Sequence, residues 1–273
     1  MLKGRIVENI SNLYIVSSDN KLFELNVRGR FRYDKTTPLV GDIVSFDEHV
    51  IKEIEPRKNE LPRPRVSNID YLLIVVSLKE PDFSSMLLDK EITLSYLHNI
   101  TPVICFTKLD LVDILDFKDI IDYYIKLGIK VFYNNNLDEL KNYLQGKVVA
   151  LTGQSGAGKS TLLNRLDNNL NIKTDKISYA LNRGKHTTRH VKMYNIDDIY
   201  FIDTPGFSSL TFENYTKEDI RNAFIEFRNY QCKFKDCLHV KEKDCKVKEA
   251  LLNKEILLSR YNNYIKILDE IRK

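Results

Sequence analysis

The chain lacks the features that tie a protein to a membrane or to an oxidising compartment. It has no uninterrupted apolar run of about 18 residues, so no bilayer-crossing helix is expected. Its first residues, Met1-Leu2-Lys3-Gly4-Arg5, lack the apolar core of a secretory signal. Four cysteines in 273 residues are too few for a disulfide framework. Charge of one sign is also scarce. Lys and Arg number 42 against 38 Asp and Glu, a net charge of +4, which by itself makes no case for nucleic acid. What remains is a core-forming composition, 43% hydrophobic and 29% charged, on a chain long enough for two or three domains. A cytoplasmic monomer without membrane contact is expected.

The texture of the sequence changes twice. Residues 1–62 contain short alternating runs at 5–10, 13–16, 21–27, 28–33, 42–46 and 50–55, with Asp19-Asn20 as a turn. About five short strands in such a span fit a small barrel, with the OB-fold as the leading architecture. Pro62-Arg63-Pro64 reads as a stiff linker. Residues 63–210 carry continuous apolar runs at 71–77, 102–106, 129–133, 148–152 and 199–202, the pattern of strands buried on both faces. Helical patterns at about 84–98, 113–127 and 159–166 lie among them, the second ending at Gly128. This alternation predicts a mostly parallel sheet covered by helices. Residues 211–273 have no such strands. They read as a helix, a cysteine-rich loop and a helix over about 248–271.

The chemistry concentrates in three motifs whose order is unusual. Gly153-Gln154-Ser155-Gly156-Ala157-Gly158-Lys159-Ser160 fits G-x-x-x-x-G-K-[ST] in full, after a buried strand and before a helix. Glycines there let backbone N–H groups converge on phosphate oxygens, and the helix start adds positive potential. Lys159 is expected on the β- and γ-phosphates, the Ser160 hydroxyl on Mg²⁺, and the Thr161 backbone near the α-phosphate. Asp203-Thr204-Pro205-Gly206 follows, with Asp203 placed to hold Mg²⁺ through water and Gly206 to sense the γ-phosphate. Thr107-Lys108-Leu109-Asp110 has the form of a guanine-reading motif. Asp110 would accept two hydrogen bonds from guanine, a donor pair that adenine lacks. Lys108 would lie along the base.

Thr107-Lys108-Leu109-Asp110 precedes the phosphate loop instead of following it. The parts of a GTPase in rotated order predict a circularly permuted P-loop GTPase domain. Between the phosphate loop and Asp203 lies Arg183-Gly184-Lys185-His186-Thr187-Thr188-Arg189-His190. Thr188 is favoured over Thr187 to complete Mg²⁺ coordination; a solvated basic loop is the plainer reading, and both can hold. Phe207 stands where many GTPases place a water-orienting glutamine, so intrinsic hydrolysis should be slow. His186 is the candidate for the missing group; the alternative is a surface histidine with no catalytic task.

Cys232, Cys237, His239 and Cys245 form C-x4-C-x-H-x5-C. Three thiolates and one imidazole suit a closed, structural Zn²⁺ site; free cysteines in a loop are the alternative. Cys105, inside a predicted strand, reads as a small core residue. Lysines 233, 235, 241, 243, 246 and 248 surround the cluster, with acids interspersed, so a solvated face is the default. Arg28, Arg30 and Arg32 alternate along one predicted strand, on a face that could meet phosphates.

Taken together these residues resemble the ribosome small-subunit-dependent GTPase family (RsgA). The similarity extends over essentially the whole chain. Pro38-Leu39-Val40-Gly41-Asp42-Ile43-Val44 looks like that family's barrel segment, and Arg63-Pro64-Arg65-Val66-Ser67-Asn68-Ile69-Asp70 like its entry to the GTPase domain. Gly153 to Ser160, Gly184 to Thr188 and the Cys3His cluster match in order and spacing. The resemblance implies an OB-fold, a permuted GTPase domain and a helical zinc domain. It also implies a factor that binds the small ribosomal subunit and its rRNA late in assembly, with GTPase activity stimulated by that subunit. Tyr133-Asn134-Asn135-Asn136 departs from the Ser-Ala-like turn the family offers to guanine. Two other readings compete: a P-loop kinase of small molecules, and an RNA-binding module with a vestigial nucleotide site. The guanine motif argues against the first, and intact Lys159, Ser160 and Asp203 argue against the second.

Overall fold

The computed structural model describes every residue except 11–12, 28–36, 168–169, 171–190, 204–210 and 272–273. The described strands are β1 (Leu2–Ile10), β2 (Leu13–Ser18), β3 (Lys21–Val27), β4 (Ile43–Phe46), β5 (Val50–Ile54), β6 (Glu60–Pro62), β7 (Arg65–Ser67), β8 (Tyr71–Ser77), β9 (Thr101–Thr107), β10 (Lys130–Tyr133), β11 (Val148–Thr152), β12 (Val191–Ile196) and β13 (Ile199–Asp203). The α-helices are α1 (Ser85–Leu97), α2 (Lys118–Lys126), α3 (Leu137–Leu144), α4 (Lys159–Leu166), α5 (Lys217–Ala223), α6 (Lys246–Leu252) and α7 (Leu258–Glu270). Two compact units divide them. One comprises residues 1–73, 137–152 and 159–206, the other 74–136, 153–158 and 207–273.

In the first unit the N-terminal strands close on themselves. Asp19 and Asn20 take left-handed φ values of 47° and 60°, the geometry of a tight hairpin, and join β2 to β3. β3 pairs with β5 in parallel, β5 with β4, and β4 with β1, which also pairs with β2. The ring β1-β2-β3-β5-β4-β1 is a closed five-stranded barrel with the strand order of an OB-fold. Ile6, Val16, Leu25, Val44, Phe46 and Ile51 fill its interior with no exposed surface. The register of β1 shifts between Ile6 and Glu8, and beyond that point β1 stays paired with β2 while its other edge, free of β4, pairs with β12 (Glu8 with Lys192, Asn9 with Val191). β12 pairs antiparallel with β13, and β13 parallel with β11.

Pro62-Arg63-Pro64 lies in a hairpin where a linker was expected: Pro62 ends β6, paired with Arg65 of β7, and Arg63-Pro64 make the turn, because Leu61 and Val66 pair and bury completely. A short edge hairpin tolerates prolines, which have no N–H to lose from the ladder. Buried Asp42 anchors it. Its carboxylate accepts bonds from Leu39 N (2.8 Å), Ser67 Oγ (2.5 Å) and Arg57 Nε (2.8 Å), so its charge is paired. Arg28, Arg30 and Arg32 lie outside the described residues.

The second unit holds the end of β8 with β9 and β10, helices α1 and α2, and the tail helices. β9 and β10 run parallel, Val103 against Lys130 through Phe106 against Tyr133. The helical pattern at 113–127 begins as a 3-10 turn (Ile114–Phe117), capped by the Asp113 carboxylate, before α2. The tail helix expected over 248–271 is two helices, α6 and α7. Asn253 caps the first and Lys254 turns left-handed at φ 60°, which carries Ile256 into the core. Arg260 of α7, 1% exposed, donates to Asp89 of α1 (2.6 Å) and to Glu226 (2.7 Å). Tyr124 of α2 and Asn263 also donate to Asp89, each at 2.7 Å. The three buried charges are therefore paired within one hydrogen-bonded group.

Candidate nucleotide and metal sites

A loop that wraps phosphates must place its backbone where side chains would block it, and three glycines of the phosphate loop do this. Gly153, Gly156 and Gly158 have φ values of 134°, 79° and 96°. A Cβ on Gly153 would lie 2.2 Å from the Val75 carbonyl oxygen at the end of β8, so any other residue would collide with backbone. Ala157 is fully buried and its N–H closes a turn onto the Gln154 carbonyl at 3.0 Å. Gln154, Ser155 and Gly156 are exposed at the loop's crest. Lys159 opens α4 directly after Gly158; Lys159 and Ser160 are half-buried, Thr161 is exposed, and Leu162, Leu163 and Leu166 anchor the helix.

The guanine motif sits beside this loop. Thr107 ends β9, and its hydroxyl donates to the Ala157 carbonyl at 2.7 Å. Threonine in place of the more usual asparagine therefore still ties the two motifs. Lys108 turns left-handed at φ 58° and starts the 3-10 turn Leu109–Leu111. Lys108 and Leu109 are half-buried and Asp110 is exposed, a carboxylate open to a ligand. The turn at Tyr133-Asn134-Asn135-Asn136 lies at the same end of the sheet. The Asn134 N–H donates to the Phe106 carbonyl at 3.0 Å, and the Phe106 and Tyr133 rings stack at 6.3 Å. The structure thus brings together Thr107 to Asp110, Gly153 to Gly158 and the fifth-motif turn in one compact unit. In the other unit Asp203 ends β13, in register with Leu151 of β11. Gly184, His186, Thr187, Thr188, Gly206 and Phe207 lie outside the described residues.

Four ligand atoms converge near the C-terminus. The Nδ1 of His239 lies 3.5 Å from Cys232 Sγ and 3.3 Å from both Cys237 Sγ and Cys245 Sγ, and Cys232 Sγ lies 3.8 Å from Cys245 Sγ. A tetrahedron with ~2.3 Å metal–sulfur and ~2.05 Å metal–nitrogen bonds has edges of about 3.8 Å and 3.5 Å. Burial holds His239 neutral, its pKa brought down to about 4, and pushes Cys237 up to about 12. Burial opposes ionisation of Cys232 too, but the Val247 and Lys246 backbone N–H groups overcome it and lower its pKa. Three packed thiols can all ionise only around a cation, so the donor set and its geometry fit a divalent metal. The four residues of this cluster were singled out by sequence reasoning. It missed the tyrosines behind them: Tyr261 OH donates to the His239 carbonyl and Tyr264 OH to the Leu238 carbonyl, each at 2.6 Å. Their spacing at i and i+3 on one helix was the available signal.

Comparison with known proteins agrees with this geometry. Residues 54–213 match the family model of the RsgA GTPase, and residues 3–53 that of the RsgA N-terminal domain. The chain is 44% identical to small ribosomal subunit biogenesis GTPase RsgA 2 of Oceanobacillus iheyensis, over 100% of this chain and 98% of that one. It is 40% identical to the RsgA of Staphylococcus saprophyticus over 99% and 98%. Among solved structures it superposes on YjeQ from Thermotoga maritima with a TM-score of 0.84, at 32% identity over 99% of this chain and 98% of that one. It superposes on YloQ, a circularly permuted GTPase, with a TM-score of 0.82, at 34% identity over 100% and 95%. With an OB-fold barrel, a permuted P-loop core and a Cys3His tail, the chain belongs to the RsgA family of GTPases.

Proposed function

We propose that this GTPase acts as a late maturation factor of the small ribosomal subunit, binding its rRNA and hydrolysing GTP faster when docked there. The observation that carries the nucleotide choice is the Thr107 hydroxyl on the Ala157 carbonyl, which sets the guanine motif against the phosphate loop. The partner rests on the relatives named for biogenesis of that subunit. The proposed domains are a barrel over 1–62, the GTPase over 63–210 and a zinc domain over 211–273.

In this reading Gly153 to Gly158 cradle the phosphates, Lys159 neutralises them, and Ser160, Thr188 and Asp203 serve Mg²⁺. Thr161 offers its backbone to the α-phosphate, and Asp110 reads guanine with Lys108 and Leu109 along the base. One Zn²⁺ sits among Cys232, Cys237, His239 and Cys245 in a structural role. Loss of the γ-phosphate releases Gly206 and the Gly184–Thr188 loop. Phe207 has no group to orient water, so the docked subunit orders that loop and His186 supplies the missing function. GTP favours docking and hydrolysis favours release. Competition binding tests the base assignment. Asp110→Asn should lose GTP affinity and gain xanthosine triphosphate, whose 2-oxo group accepts from the amide. Equal wild-type affinity for ATP and GTP would contradict it.

A further inference from the structure

Four residues, Lys233-Phe234-Lys235-Asp236, bridge Cys232 and Cys237. Both ends of this bridge are cluster thiols. In its middle the Cys237 N–H donates to the Phe234 carbonyl at 3.3 Å, and Arg221 Nη1 donates to the Lys235 carbonyl at 3.0 Å. A bridge held this way has little freedom to turn its aromatic ring inward. The neighbouring core of Phe212, Phe224, Phe227 and Tyr264 is built without Phe234. The ring stays 53% exposed, and among the described residues it is the only exposed phenylalanine or tyrosine.

The charge around the ring is positive. Lys233 Nζ lies 5.7 Å from the ring centroid. Lys233, Lys235, Lys241 and Lys243 are exposed and have no carboxylate partner among the described residues, and of the acids within 232–245 only Asp236 and Asp244 are comparably exposed. Glu242 is occupied inside its own turn, accepting from the Leu238 N–H (2.9 Å) and the Val240 N–H (2.8 Å).

We propose that Phe234, flanked by Lys233 and Lys235, is a stacking site for an unpaired base of RNA. An aromatic face held out on a rigid loop stacks on any base at little entropic cost, and neighbouring ammonium groups meet the phosphates on either side. Bases inside a duplex are already stacked and closed to such a ring, so the site selects loops, bulges and single strands. An acidic protein segment would use the lysines but leaves the exposed ring without a role.

The test uses the full, metal-loaded chain with a short single-stranded oligoadenylate, a blunt RNA duplex and polyglutamate as separate probes. Phe234→Ala should bind the single strand about tenfold more weakly. The chain has no tryptophan, so Phe234→Trp introduces a lone reporter that should keep affinity and lose fluorescence when the strand binds. Replacing Lys233 and Lys235 by Gln should flatten the salt dependence by about 1.4 in log–log slope. Metal content and basal GTP turnover should stay at wild type. Unchanged affinity in Phe234→Ala, unquenched fluorescence in Phe234→Trp, or preference for polyglutamate would overturn the proposal. If Phe234→Ala loses its metal, the tryptophan signal decides. Failure of the subunit to stimulate turnover would not touch this result, because the oligonucleotide test is independent of the ribosomal role.

Discussion

The phosphate loop and the metal loop solve the same problem in opposite ways. Each is a short exposed segment that must hold its shape. The phosphate loop does so by what it leaves out: Gly153 passes where a Cβ would lie 2.2 Å from the Val75 carbonyl, and Gly156 and Gly158 take φ values closed to most residues. The metal loop does so by what it brings in: three thiols and an imidazole within 4.8 Å of one another, backed by Tyr261 and Tyr264. The first is set by backbone geometry that only glycine adopts freely. The second concentrates ionisable groups that need a cation. A loop made of glycine is shaped by what its backbone must avoid, and a loop made of ligands by the cation they share.

Removing metal should therefore separate the two most strongly. Structural zinc supplies roughly 10–16 kcal/mol of apparent binding free energy in small zinc peptides. Chelation should abolish hydrogen-exchange protection around 232–245 and in α6 while GTP affinity persists; parallel loss of both would end the contrast. Next in size is Arg260→Ala. It strands Asp89 and Glu226 in the core and should cost about 3–5 kcal/mol, read by denaturant unfolding. A smaller loss would mean that Asp89 and Glu226 find other partners.

Gly153→Ala attacks the other loop. Positive φ alone costs on the order of 1–3 kcal/mol, and the carbonyl collision adds to it. Nucleotide binding by calorimetry should disappear while metal content stays at the wild-type value. Thr107→Val is the mildest change. It leaves the buried Ala157 carbonyl without the hydroxyl and should cost about 1 kcal/mol, seen as a several-fold weaker GTP affinity with unchanged metal.

How much of this was legible in the sequence follows from where each constraint is written. The phosphate loop, the candidate guanine motif and the Cys3His set stood out in the sequence because the chemistry they suggest would fix both residue type and local spacing. Strands β8 and β11 and helix α4 fell at the expected residues because continuous apolar runs and a motif-defined helix start leave little choice. Strand β12 escaped notice. Its alternation is short, and its pairing with β1 joins residues nearly two hundred apart. Helix α3 has only Leu140 and Leu144 buried, too little pattern for eight residues. The Asp89–Arg260 pair spans 171 positions and no local rule announces it. The exposure of Phe234 was equally hidden, because it depends on a core filled by other residues.

Stimulation by the subunit is tested most directly by steady-state GTP hydrolysis by the intact chain, with and without purified small ribosomal subunits. Phe207 offers no group to orient water, and supplied catalytic groups are worth on the order of 10³–10⁵ in rate. Turnover should be slow alone, rise strongly with subunits, and lose most of that rise in His186→Ala with GTP and subunit binding intact. A rate indifferent to the subunit would rule out subunit-stimulated hydrolysis, and full stimulation of His186→Ala would leave His186 without a catalytic role.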